Sequence, residues 1–346
     1  MNKPPYAITE KAADYLAKIV EAVTRLEFGT GFKRDIRLHR ENRVRTIYSS
    51  LAIEGNTLTL GEVSAVIEGR LVAGKQTEVK EVKNAYEAYD RIMSYAPYKL
   101  SDFLQAHRLM TQGLLEEAGK LRSADVGVFD GDVTVHIGAR PQFVPALMED
   151  LFAWGKASEL HAVLKSAILH FEIETIHPFA DGNGRMGRLW QTLVLAKWNP
   201  VFAWIPMESV LNQNRPEYYE TLSYGQRSNN SSRFIEFTLF SLLETLKEIY
   251  TDLSDSTKHQ VERQVERQVE HQVERQVELT EIQNKILQAL ADKTLSRKEI
   301  FTAVGLSSDS RAFKRHLEPL LQAGLINMTV PDKPRSRNQK YIRARC

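Results

Sequence analysis

Apolar residues recur three and four positions apart from Ala12 to Leu26, Val63 to Val72, Val82 to Tyr95, Phe103 to Leu115, Leu147 to Trp154 and Leu160 to Ile176. That spacing puts each set on one face of a helix, so the chain up to about residue 250 is expected to be mainly α. One stretch breaks the pattern. Val126-Gly-Val-Phe-Asp-Gly-Asp-Val-Thr-Val-His136-Ile alternates β-branched residues about the turn dipeptide Asp130-Gly131, which predicts a small β-hairpin. Read by itself, it is an edge hairpin that caps the helices.

Between Gln260 and Glu278 the chain repeats Gln-Val-Glu-Arg nearly five times, with His271 in place of one arginine. A four-residue period suits an α-helix, and each Arg meets the Glu three residues later. The stripe Val261, Val265, Val269, Val273, Val277 advances about 40° per repeat and so spirals slowly around the helix. Such a segment is a solvated or self-associating helical linker, or an expanded repeat that only sets spacing. Beyond it, Thr280 to Ala291, Ser296 to Val304 and Ser308 to Ala323 predict three short helices, the third carrying Arg311, Lys314 and Arg315. Leu325 to Thr329 and Gln339 to Arg343 flank a Pro/Lys/Arg-rich turn and predict a hairpin. This order resembles a winged helix-turn-helix, in which the third helix enters the DNA major groove and the wing touches phosphates. The same module also serves protein interaction or dimerisation.

Composition sets limits. With 346 residues, 42% apolar and 26% charged, there is material for two domains with buried cores. The net charge of +2 gives no reason to expect nucleic acid for the whole chain, but residues 279–346 hold thirteen Lys/Arg against six Asp/Glu, a local net of +7. The lone cysteine, Cys346, excludes an intramolecular disulfide and fits a reducing compartment. The N-terminus lacks the apolar core of a signal peptide, and no stretch approaches the apolar length of a membrane span. The expectation is a cytoplasmic protein with no membrane partner.

The chemistry concentrates in twelve residues, His177-Pro-Phe-Ala-Asp181-Gly-Asn-Gly-Arg185-Met-Gly-Arg188. Pro178 disfavours the α region for His177, so the helix before it should end there with the imidazole at its terminus. The Gly182-Asn183-Gly184 turn can point successive N–H groups into a concavity, and a helix starting near Gly184 adds its positive end, so an anion is the natural occupant. Arg185 and Arg188, three apart, are neighbours on one helix face, where their guanidinium forks can hold further phosphates. A carboxylate at 181 and a histidine at 177 supply a site for a hard cation and a base.

The string carries His-x-Phe-x-Asp-Gly-Asn-Gly-Arg-x-x-Arg in full and resembles the signature of the Fic (filamentation induced by cAMP) family. Members mostly transfer AMP from ATP to a hydroxyl side chain of another protein. The resemblance implies a Fic-type helical core with His177 as base. It also implies Gly182, Asn183 and Gly184 holding the α and β phosphates of ATP, Asp181 binding Mg2+, and Arg185 and Arg188 on the leaving pyrophosphate. It makes the hairpin a flap, Val126, Gly127, Val128 and Phe129, that pairs with the target's backbone. Tyr218 and Tyr219, after the turn Asn212-Gln-Asn-Arg-Pro216, and then Gln226 fall where relatives contact the nucleobase, although an aromatic pair at this spacing reads equally as ordinary core.

Upstream, Ser50-Leu-Ala-Ile-Glu54-Gly55 matches the family's inhibitory motif, Ser/Thr-x-x-x-Glu-Gly/Asn. Ser50 and Glu54 are four apart on one face, Gly55 is a natural helix-ending glycine, and Thr59 with Glu62 can form a capping box. The family mechanism pairs Glu54 with Arg188 and takes the arginine from the γ-phosphate. The expected organisation is an N-terminal helical region, 1–100, with this helix near 37–55. A catalytic core at 101–250, the repeat linker at 251–279 and a winged helix at 280–346 follow. The expected protein is a self-inhibited adenylyltransferase acting on the Ser, Thr or Tyr hydroxyl of a partner protein or of itself, with DNA and a second copy of the chain as further partners. The competing readings are a related transferase with another donor, an enzyme that removes AMP, and a nucleotide-sensing DNA-binding regulator.

Overall fold

In the computed structural model, residues 3–29, 32, 35–130, 133–275, 279–331, 336 and 338–344 are described. The chain divides into two units, Met1–Asp255 and Ser256–Cys346. Among the described residues, no helix is long and apolar enough to cross a membrane.

The first unit is helical because its apolar stripes find one another. Helices α1 (Glu10–Gly29), α2 (Ile36–Ile53), α3 (Leu60–Ile67), α4 (Gln76–Asp90) and α5 (Leu100–Thr111) precede the hairpin β1 (Gly127–Asp130) and β2 (Val133–Ile137). Then come α6 (Val144–Ala157), α7 (Ala162–Ile176), α8 (Asn183–Trp198), α9 (Glu208–Gln213), α10 (Arg215–Ser228) and α11 (Ser232–Arg275). Helices α7 and α8 form the centre, with most of their residues buried on every face, as an interior helix must be. Glycines set several ends that periodicity misplaces. Helix α3 stops at Ile67 rather than Val72 because Gly69 turns left-handed (φ 75), and α5 stops at Thr111 because Gly113 does the same (φ 68). The capping box at Thr59 and Glu62 forms. The hairpin is antiparallel, Gly127 opposite Ile137, with a register shift between Val128 and Phe129. Its tip, Gly131 and Asp132, lies outside the described residues.

Helix α11 runs on through the repeat as far as Arg275, while residues 276–278 and the side chains of the valine stripe lie outside the description. The second unit holds α12 (Glu281–Ala289), β3 (Leu295–Ser296), α13 (Arg297–Ala303) and α14 (Ser310–Ala312). A π-helical turn, Phe313–Leu317, leads into α15 (Glu318–Gln322), and β4 (Ile326–Met328) and β5 (Lys340–Arg343) complete a sheet of order β3-β5-β4. Pro319 lacks the N–H that would bond the Arg315 carbonyl, which accounts for the widened turn. Strand β3, two residues long, is too short to alternate and escaped the sequence reading. Much of the basic turn, residues 332–335 and 337, lies outside the described residues, as does Cys346.

The loop joining α7 to α8 is anchored by Phe179, fully buried against Phe103 at 5.1 Å. His107 of α5 lies flat on the Phe179 ring, centroids 3.6 Å apart and planes at 3°. The His107 Nδ1 accepts the Gly119 N–H (2.9 Å), which leaves Nε2 to donate to the Asp181 carbonyl (3.0 Å). Burial keeps this ring neutral and pushes its pKa down to about 4. In the unfolded chain the group titrates near 6.5, so its contribution is complete above that pH and is lost as pH falls through 4. Between pH 7 and pH 5 this linkage amounts to roughly 2 kcal/mol. Thermal unfolding should therefore show a steeper loss of stability over that range in the native protein than in His107→Gln, which starts lower at pH 8. Equal pH slopes would contradict the assignment.

Candidate active site

His177 ends α7 with its N–H still bonded to the Ile173 carbonyl (2.9 Å). Its backbone is left-handed, φ 54 and ψ 62, rather than extended as the following proline alone suggests. Pro178 disfavours only the right-handed helix; the left-handed turn lets the chain leave α7 sharply, at a cost of about 1–2 kcal/mol. The imidazole Nδ1 sits 3.3 Å from the Glu174 carbonyl, which can only accept, so in the neutral ring Nδ1 carries the proton and Nε2 is the basic nitrogen.

Asn183 holds the loop that follows. Its side-chain oxygen accepts the Phe179 N–H (2.8 Å) and its amide donates to the Phe179 carbonyl (2.9 Å), and it is buried. Gly182 takes φ 86 and starts α8. The Gly182 N–H is already bound to Asp181 Oδ1 (2.6 Å), whereas Asn183 and Gly184 occupy the first turn of α8, where backbone N–H groups have no partner within the helix. The positive helix end thus opens at 183 and 184, one residue narrower than the turn suggested. Asp181 stays two-thirds exposed, its Oδ2 3.1 Å from Arg185 Nη2.

The two arginines face different partners. Arg185 is buried between Asp181 and Glu81 of α4 (3.5 Å from Nη1), with its Nε unpartnered among the described residues. Arg188 is fully buried. Its Nη2 lies 2.7 Å from Glu54 Oε1 and 3.0 Å from the Ser50 carbonyl, its Nε donates to Ser50 Oγ (3.1 Å), and its Nη1 has no partner among the described residues. Burial pushes the Arg188 pKa down, but the adjacent Glu54 carboxylate more than offsets this and holds it above its ordinary value. Glu54 caps α2, and its carboxylate presses onto the head of α8: a Cβ added to Gly184 would lie 2.2 Å from Glu54 Oε1. A protein carboxylate therefore sits at the place where the helix end invites an anion. Only glycine permits that approach.

The three base-pocket candidates separate. Tyr218 is fully buried, its hydroxyl 3.0 Å from His170 Nε2 and 3.3 Å from Glu174 Oε1, so it underpins α7. Tyr219 is half-exposed and donates to the Ile53 carbonyl (3.2 Å), next to Glu54. The Gln226 side chain reaches the Glu174 carbonyl (3.5 Å), the same oxygen that His177 Nδ1 faces. On the hairpin, the Val126 carbonyl accepts the Gly138 N–H (3.1 Å), and a Cβ at Gly138 would lie 3.2 Å from His177 Cβ, so the base of the hairpin adjoins the histidine. Gly127 lies in β1; the side chains of Val128 and Phe129 lie outside the described residues. Sequence reasoning missed His107, Glu81 and the His170–Glu174 pair. Each is one of several polar residues in its helix, and no local pattern marks it out.

Residues 97–195 match the model of the Fic/DOC family, and residues 281–343 match that of the C-terminal domain of Filamentation induced by cAMP protein Fic-like. Protein adenylyltransferase fic-1 of Caenorhabditis briggsae is 30% identical over 200 residues, 54% of this chain and 37% of its own length. Protein adenylyltransferase Fic of Nematostella vectensis is 32% identical over 204 residues, 56% of this chain and 45% of its own. The matched region thus spans less than half of these curated relatives. Among solved structures, a Fic family protein from Desulfovibrio desulfuricans G20 aligns over 99% of this chain and 98% of its own, with 37% identity and a TM-score of 0.70. With a relative this similar along its whole length, and with the His177–Arg188 loop wrapped onto the head of α8, the chain belongs to the Fic family.

Proposed function

We propose that this protein is a self-inhibited adenylyltransferase that moves AMP from ATP to a Ser, Thr or Tyr hydroxyl of a protein. The observation that carries the reading is the Glu54–Arg188 pair, 2.7 Å long, seated over Gly184 at the helix end beside His177. The adenylyltransferase names of the relatives support AMP as the group moved.

In the reaction, ATP lies with its phosphates along the head of α8, held by the N–H groups of Asn183 and Gly184. His177 Nε2 takes the proton of the acceptor hydroxyl, whose oxygen bonds to the α-phosphorus. The bond from that phosphorus to the bridging oxygen breaks, and pyrophosphate leaves toward Arg185 and Arg188. The exposed Asp181 carboxylate is a single hard donor of the kind Mg2+ takes alongside phosphates and water, and the ion would neutralise charge on those phosphates. Tyr219, half-exposed beside Ile53, is the base-pocket candidate that the geometry favours, and the hairpin serves as the strand that the acceptor joins.

Glu54 restrains the reaction by occupying Arg188. Losing one charged hydrogen bond weakens nucleotide binding by roughly 1.5–3 kcal/mol, whereas a 1 Å error at the reacting atom can cost about a hundredfold in rate. The restraint acts mainly through geometry. In the second unit, α12, α13, the run from α14 to α15 and a three-stranded sheet, with a net charge of +7 over residues 279–346, support a winged helix that binds DNA or a partner protein and tunes the enzyme.

Two outcomes follow. With ATP and Mg2+, Glu54→Gly should raise AMP incorporation into the protein itself or an added partner more than tenfold, and His177→Ala should abolish it, as read by intact mass. A folded Glu54→Gly protein with no added mass would overturn the reading; a mass other than AMP would reassign the donor, and release of AMP that stops in Glu54→Gly would indicate removal instead. Because Glu54→Gly leaves the buried Arg188 charge without its carboxylate, the variant should melt lower than the native protein without ligand and gain more Tm from ATP. Equal ATP-induced shifts would argue that the two anions do not compete.

A further inference from the structure

Arg122 lies between α5 and the hairpin, and only 3% of it is exposed. Among the described residues, its guanidinium donates only to backbone carbonyls. Nε donates to His177 O (2.6 Å), Nη2 to Ile176 O (3.4 Å) and Ala139 O, and Nη1 to Ala124 O (2.8 Å). The Arg122 N–H adds a bond to Pro178 O (3.0 Å). Three consecutive carbonyls, 176 to 178, bracket the left-handed residue, while Ala124 and Ala139 lie just outside the Val126–Gly138 bond that closes the two feet of the hairpin. One side chain thus ties the turn that carries the imidazole to both feet of the strand pair. The packing leaves no slack: a Cβ on Gly138 would come within 2.8 Å of Arg122 Nη2 and 3.2 Å of His177 Cβ.

We propose that Arg122 is a positioning residue that sets His177 in register with the hairpin, so that an acceptor lying along β1 presents its hydroxyl to Nε2; the inference rests on the transferase reading. Arginine suits the task because its planar fork carries five donors in fixed directions, whereas a lysine ammonium is a point donor. A left-handed non-glycine residue persists only where its surroundings over-determine it, and three pinned carbonyls do so here. Arg122 makes no hydrogen bond to the head of α8, so it separates alignment of the base from the grip on the nucleotide.

The test uses full-length Glu54→Gly as parent, with Arg122→Lys and Gly138→Ala introduced separately. The second variant keeps the cation and disturbs the same junction from the other side, so it stands in should Arg122→Lys fold poorly. Each should lower kcat for AMP transfer on the order of a hundredfold, the scale of a 1 Å misplacement, with KM for ATP within about twofold of the parent. Hydrogen exchange without nucleotide should quicken together in the segments 124–139 and 176–179, with α8 unchanged. Parental kcat and parental exchange in folded Arg122→Lys would overturn the proposal. So would loss of ATP affinity in step with kcat and faster exchange in α8, which would mark a general structural role. If the parent itself transfers nothing, the transferase reading fails, and the exchange comparison still decides whether Arg122 joins the two segments.

Discussion

The arrangement of the first unit turns on one ion pair, between a buried arginine and a partly exposed glutamate. Arg188 is withdrawn completely from solvent on α8, and a buried guanidinium is tolerable only if its charge is met. Ser50 and Glu54, one turn apart on α2, meet it with a hydroxyl, a carbonyl and a carboxylate. Their shared face brings the end of α2 against the start of α8, where the helix dipole and the free N–H groups of the first turn already favour negative charge. Glu54 pairs with the arginine and places its carboxylate beside the helix end. On the proposed reading, the phosphates of a nucleotide would meet the same two demands, so that restraint and binding would be alternative answers to one electrostatic problem.

The loop beside the pair is held by an apolar anchor and by hydrogen bonds that leave the imidazole edge available. Phe179 is sunk among Phe103 and His107, Asn183 brackets it, and His107 grips the Asp181 carbonyl. Behind the histidine, the Glu174 carbonyl faces His177 Nδ1, while the Glu174 side chain meets Tyr218 and His170 in the core. Such support from rigid elements is what a site needs if a base is to hold its geometry through a reaction. The Gln226 contact with the same Glu174 carbonyl links α10 to this frame, and Tyr219 links α10 to the end of α2.

What could be read beforehand was local. The twelve residues from His177 to Arg188 state a base, a turn and two cations in a fixed order. Ser50, Glu54 and Gly55 state a helix face and its end, and Thr59 with Glu62 states a cap; such signals need only neighbours in sequence. Long-range partners were not legible. Arg122 reaches carbonyls up to 55 residues away, and His107 finds its carbonyl 74 residues away, with nothing in the flanking sequence to announce either. The Tyr218–Tyr219 pair shows a further limit: adjacent helix positions point about 100° apart, so one ring was bound to turn inward, and the sequence does not say which. Helix α4 likewise begins at Gln76, a full turn ahead of its apolar stripe, because its first residues are exposed or polar.

On the proposed reading, Glu54 restrains AMP transfer chiefly by holding Arg188. A double-mutant cycle tests this directly, comparing AMP transfer by the native protein, Glu54→Gly, Arg188→Ala and the double variant. Arg188→Ala should erase the gain of Glu54→Gly, leaving the double variant little faster than Arg188→Ala alone. A double variant that kept the full gain would contradict it, because the glutamate would then be acting elsewhere.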